Sequence, residues 1–204
     1  MSTSSNDSSL AKGAYNAEQY TRRPEHKPKT ANEHEDKYVL TLHTDRKHHE
    51  CMTALRNQYF PSHLNKLDAH IALFRALPGS HLPKIETDIL TVAARENDFE
   101  IKASKPFMMG HGVGISADVS GAHRIYGDLK KEWKSWLSEQ DMSFHPHYTI
   151  QNKVEKDVAR RALQEIDSAA SDPKFTHTGN VDGLTLWRYD KGYWRHRRDF
   201  MFGE

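Results

Sequence analysis

A regular pattern of apolar and polar positions begins only at Lys37. Tyr38-Val39-Leu40-Thr41-Leu42 is rich in aromatic and branched side chains and predicts a strand. From Arg46 to Tyr59 the apolar positions take up helical spacing through Met52, Leu55 and Tyr59, and Pro61 ends the run. Ala69 to Leu77 predicts a second strand, closed by Pro78-Gly79, after which Ser80 can cap a helix striped by Leu82, Ile85, Ile89 and Val92.

The second half repeats the grammar. Phe99 to Ala103 and Gly112 to Val119 predict strands, separated by a Pro106–Gly110 connection. Ile125, Leu129, Trp133 and Trp136 or Leu137 define an amphipathic helix, and His147 to Lys153 a further strand. Val158, Ala162, Leu163, Ile166 and Ala169 stripe another helix, stopped near Pro173. Gly183 to Tyr189 and Tyr193 to Phe202 read as a hairpin turning at Lys191-Gly192. The order is strand–helix–strand–helix–strand, then strand–helix–strand–helix–strand–strand. It fits an α+β fold of two pseudo-symmetric lobes of antiparallel sheet, flanked by helices and facing a central groove, better than a parallel α/β sheet.

Residues 1–35 lack this pattern. They are rich in Ser, Asn, Lys and Glu, carry Pro24 and Pro28, and hold few apolar side chains. Such a segment cannot bury enough surface to offset its ordering entropy, which predicts a flexible or loosely docked tail ahead of a domain spanning 36–204. Tyr15, Tyr20 and Arg22-Arg23 are the tail's candidates for contact with the body or its pocket.

Composition narrows the function classes. Lys and Arg total 29 against 28 Asp and Glu, a net charge of +1, which argues against a non-specific nucleic-acid coat but leaves room for a small phosphate pocket. The single cysteine, Cys51, rules out an intramolecular disulfide and a cysteine-based zinc cage. The start, MSTSSNDSSL, has no basic segment followed by an apolar run, and no stretch approaches a membrane span. The expectation is a soluble cytoplasmic or nuclear protein, not secreted and not held on a membrane. With 14 histidines in the chain, one histidine by itself says little.

Two histidines say more because of where they fall. Each half places one at the start of its second main strand, in Ala69-His70-Ile71-Ala72-Leu73-Phe74 and in Pro146-His147-Tyr148-Thr149-Ile150-Gln151. Alternation puts His70, Ala72 and Phe74 on one face, and His147, Thr149 and Gln151 on another. Central, adjacent strands in a concave sheet would bring both imidazoles into one groove, with the Thr149 hydroxyl beside them and Arg75 and Tyr148 turned away. Two imidazoles titrating near pH ~6.5 supply one neutral and one protonated ring, a base and an acid for phosphoester chemistry without a metal. A threonine hydroxyl donates to a phosphate oxygen as charge builds. Phe74, Tyr148 and Trp187 are aromatic candidates for stacking on a base, with core packing as their ordinary role.

Other motifs have plainer readings. His145-Pro146-His147 as a metal pair lacks evident third and fourth ligands. Gly110-His111-Gly112-Val113-Gly114 precedes a strand rather than a helix, so it reads as a turn and not as a phosphate loop. His48-His49 reads as a surface pair, and Arg195-His196-Arg197-Arg198 as a solvated edge.

His70-Ile71-Ala72-Leu73 and His147-Tyr148-Thr149-Ile150, 77 positions apart, together resemble the doubled His-hydrophobic-Thr/Ser-hydrophobic signature of the 2H phosphoesterases, which include 2',5'-RNA ligase-like proteins and cyclic nucleotide phosphodiesterases. The order of elements from Tyr38 to Phe202 is similar as well. The resemblance implies a metal-independent phosphodiesterase; no cofactor and a monomeric state are expected beside it. It would act on 2',3'-cyclic nucleotides or RNA-type phosphodiester bonds, with a small nucleotide or an RNA end as substrate. His70 and His147 would be catalytic, with His147 assigned as base and His70 as acid by resemblance and position. Thr149 would hold phosphate, with Gln151 as a further donor. Ala72 departs from the pattern, standing where the family carries Thr or Ser; Tyr148, Arg75 and Gln151 are candidate donors to compensate, although Arg75 and Tyr148 should point off the groove face. That missing hydroxyl motivates a second reading, a catalytically weakened nucleotide- or RNA-binding module of the same fold. A third is an esterase or lyase using the same two rings on a non-nucleotide substrate.

Overall fold

The computed structural model describes residues 27–32, 34–170 and 178–203. Tyr15, Tyr20, Arg22-Arg23 and the Pro173 stop signal lie outside the described residues. The described elements run β1 (Lys37–Thr44), α1 (Arg46–Tyr59), β2 (Ala72–Pro78), α2 (Leu82–Ala93), β3 (Phe99–Met108), β4 (Val113–Asp118), α3 (Ser120–Trp133), β5 (His147–Gln151), α4 (Lys156–Ala170), β6 (Thr178–Asp190) and β7 (Tyr193–Met201). This is the order the pattern predicts.

Local chemistry explains the boundaries. Asp45 caps α1, its carboxylate accepting from the His48 amide. Helix α2 departs from expectation. A 3-10 turn over Gly79–His81 precedes it, His81 occupies its cap position without a capping side-chain bond, and Pro83 lies in its first turn. Ser80 instead donates its amide to Glu35 and pairs its hydroxyl with the His81 ring. Glu35 and Lys29, whose amide donates to the Trp136 carbonyl, dock part of the predicted tail onto the body. At the β6–β7 hairpin, Lys191 and Gly192 both have positive φ, 47° and 92°, as a two-residue turn matched to strand twist requires.

All strand pairs are antiparallel, in the order β2-β1-β6-β3-β4-β5, with β7 also on β6. The long β6 joins the halves. One of its edges pairs with β1, while its other edge takes β3 at residues 178–181 and β7 from Gly183 onward. The two histidine segments therefore belong to opposite ends of one sheet, and the expectation of central, adjacent strands is corrected. Helix α1 carries the link between those ends, packing its buried His48 against Tyr148 of β5. The apolar stripes of α2 (Ile85, Ile89, Val92), α3 (Ile125, Leu129, Trp133) and α4 (Ala159, Ala162, Ile166) are buried, and those of α2 and α3 share a core with Phe74 and Leu40.

Strand β2 carries the irregularity that matters most. Tyr38 pairs with Leu77, Leu40 with Phe74 and Thr41 with Ala72, so two extra residues bulge from β2 within six positions. The bulges turn Phe74 to the side of Leu40, against Tyr126 and Trp133 of α3, while Ala72 stays with Thr41. Asp141, fully buried, takes up the displaced backbone. Its two carboxylate oxygens accept from the amides of Arg75 and Ala76 at 2.8 and 3.0 Å.

Candidate active site

His70 lies just ahead of β2, and His147 opens β5. The two rings are anchored alike. Nδ1 of His70 is 2.7 Å from the carbonyl of Asp68, and Nδ1 of His147 is 2.7 Å from that of His145, in each case two residues back. A carbonyl only accepts, so each Nδ1 carries the proton and each neutral ring presents a bare Nε2. Burial first, with the charges of Arg56, Arg75 and His147 acting in the same direction, pulls His70 down to about 4 against the Asp68 carbonyl bond that raises it. His147 is also lowered, by burial first and then by Arg75 and His145, against its own carbonyl bond. Both rings are thus neutral near pH 7. Trp194 packs on His70 with ring centroids 4.3 Å apart, and the Phe107 ring meets His147 edge-on at 5.9 Å.

One arginine ties the segments together and a second lies near both rings. Arg56 of α1, 5% exposed, donates from Nε to the Leu67 carbonyl at 3.0 Å and from Nη1 to the Thr149 carbonyl at 2.5 Å. One buried guanidinium therefore binds the backbone beside each histidine. Burial lowers its pKa to about 10, and the Phe60 ring covers it at 4.0 Å. Arg75 is close enough to depress both imidazoles, which corrects the expectation that it turns away. The β2 bulges break the alternation on which that expectation rested.

The remaining predicted residues separate. Thr149 is half-buried, with its hydroxyl 3.9 Å from the Met109 sulfur. Ala72 is half-buried opposite Thr41 and brings no hydroxyl. Gln151 is buried, because a register shift between Val113 and Gly114 turns it toward the end of α1, where its amide donates to the Tyr59 carbonyl; it is not a groove donor in this structure. Phe74 is fully buried on α3, and Tyr148 is buried with its hydroxyl 3.0 Å from His48 Nε2, so neither offers a face for stacking. His48 is correspondingly a core residue, not a surface one, its ring lowered by burial. Among the described residues no group of three or more His, Cys, Asp or Glu side chains is placed to hold a metal ion, and no helix is long and apolar enough to cross a membrane.

A cavity of about 460 Å³ opens beside His70, bounded by β1, the Lys66–Ile71 segment and the β6–β7 hairpin. Trp187 and Trp194 line it. Sequence reasoning missed Arg56 and Trp194. A charged residue on a helix and an aromatic on an edge strand carry no periodic signal that separates them from surface positions.

The family model of the 2'-5' RNA ligase superfamily matches residues 44–193, well over half of the chain. No curated protein sequence matches. Among solved structures, TT0787 of Thermus thermophilus superposes with a TM-score of 0.56 at 14% identity, covering 82% of this chain and 100% of its own. E. coli LigT complexed with 3'-AMP gives 0.50 at 15% identity, covering 81% and 98%. A structure described as a phosphoesterase gives 0.51 at 14%, covering 82% and 99%. At such identities the likeness is one of fold. The family match, which contains both histidine segments, adds the lineage: this chain belongs to the 2'-5' RNA ligase superfamily, within the 2H phosphoesterases.

Proposed function

We propose that the protein is a phosphodiesterase that opens 2',3'-cyclic nucleotides or related RNA-type phosphodiesters by acid–base catalysis between His70 and His147. The observation that carries this reading is the matched anchoring of the two rings. Each Nδ1 is held by a local carbonyl, each Nε2 is left bare, and each ring feels the charge of Arg75. An arriving phosphate anion raises the pKa of the ring it meets, so one imidazole picks up a proton while the other stays basic. The neutral Nε2 then takes a proton from water as its oxygen attacks phosphorus. The protonated Nε2 gives its proton to the departing ribose oxygen, and charge and protons balance across the step. His147 serves as base and His70 as acid in this scheme.

Arg75 supplies what Ala72 lacks. Its guanidinium makes no ion pair among the described residues and presents a planar donor fork suited to phosphate oxygens. Thr149 donates from the other side. The 3'-AMP complex of LigT supports a nucleotide as ligand for this fold. The test is hydrolysis of the four nucleoside 2',3'-cyclic phosphates, with and without chelator. Turnover that survives chelator and falls by at least ~10³-fold in His70→Ala and in His147→Ala is expected. Full activity in the double variant would end the proposal.

A further inference from the structure

We propose that the cavity beside His70 is the subsite for the nucleoside on that side of the scissile phosphate, its base stacking on Trp187 and Trp194. The inference rests on the phosphodiesterase reading for the position of the phosphate. The aromatic surface is continuous with the candidate catalytic ring: His70 and Trp194 centroids are 4.3 Å apart, and Trp194 and Trp187 centroids 5.8 Å. Both indoles line the cavity and remain half-buried, whereas Trp133 of the core is fully buried. Trp187 is held in place by its own N–H, which donates to the buried Thr41 hydroxyl at 3.1 Å. A fixed, half-open indole loses little freedom when a base lies on it.

The edge strand is built to present these groups. Leu186 pairs with Arg198 and Arg188 with Arg195, so β7 carries an extra residue, and His196 within it has φ of 52°. In regular β-structure residues three apart face opposite sides, yet Trp194 and Arg197 line the same cavity. The bulge turns both inward at the cost of an uncommon backbone conformation for a non-glycine residue. Arg197 sits 5.6 Å from the Trp187 ring and is fixed by both carboxylate oxygens of Asp199 at 2.8 Å. Lys66, 4.5 Å from the Tyr193 ring, stands at the rim. Aromatic faces backed by cations are the chemistry that accepts a base without reading its identity. The volume, about 460 Å³, falls within the roughly 300–1,000 Å³ typical of small-molecule sites.

The test compares adenosine 3'-monophosphate with base-free ribose 3-phosphate by equilibrium titration of intrinsic tryptophan fluorescence. In the unaltered protein the nucleotide should quench fluorescence and bind about 5- to 150-fold more tightly than the base-free probe. Trp187→Leu, which leaves His70 and its neighbour Trp194 in place, should abolish that preference. Equal affinity for the two probes, which needs no variant and so does not depend on its folding, would overturn the inference. An undiminished preference in folded Trp187→Leu would overturn it as well. Base preference without turnover of any cyclic phosphate would instead sink the phosphodiesterase reading and leave the subsite standing. Turnover without base preference would do the reverse.

Discussion

An imidazole with Nδ1 bonded to a carbonyl has a single nitrogen left for chemistry, and His70 and His147 share that condition. What surrounds them sets their protonation, and in the proposed mechanism Arg75 links that setting to phosphate. Replacing it with Ala should lower kcat on a cyclic phosphate by about 10²–10³-fold, the usual loss for one donor to a developing oxyanion, while Lys restores part of the rate. The same change removes a positive charge from beside both rings, so the acid limb of the kcat/KM profile should move to higher pH. Unchanged rate and profile would exclude Arg75 from the site. At this scale the sequence was legible where a motif repeats. The matched anchoring of His70 and His147 follows from their matched spacing; the placements of Phe74, Gln151 and Arg75 do not, because bulges in β2 and a register shift beside β5 break the alternation used to place them.

Elements come together through a few buried polar groups whose partners lie far apart in the chain. Asp141, in a 3-10 turn over Glu139–Met142, holds the amides of Arg75 and Ala76 and accepts from the Ser138 hydroxyl. Asp141→Ala leaves those amides without acceptors, and a cost of about 1–3 kcal/mol for each is expected in urea unfolding. Turnover should fall as well, since Arg75 loses its backbone anchor. Arg56 acts in parallel from α1, and Arg56→Met should reduce kcat and stability together by freeing the Leu67 and Thr149 carbonyls. Wild-type stability in either variant would show that the bonds carry no weight. The helices and strands themselves were readable, because apolar periodicity and turn residues are local. The bulges were not, since they answer to a carboxylate 66 residues away.

For the whole molecule, the proposed function turns on the sheet's two ends being tied together by Arg56. It also leaves a trace in stability. His70 has an ordinary pKa near 6.5 when unfolded and about 4 when folded, so the unfolded chain binds more protons between those values. Its contribution is fully present above the unfolded value and is lost as pH falls from about 6.5 to about 4. His147 and His48 shift in the same direction. Denaturant unfolding across that window should show falling stability, with a shallower slope in His70→Gln; an unaltered slope would mean that His70 is not desolvated. The α+β class was visible in the order of elements, whereas β6 joining both halves into one sheet was not, since strand order is a long-range property. The most direct measurement is a crystal structure of the protein with inorganic phosphate bound. Nε2 of His70 and Nε2 of His147 should each lie about 3 Å from oxygens of the same phosphate. A phosphate held by one ring alone, or rings too far apart to share it, would contradict the account.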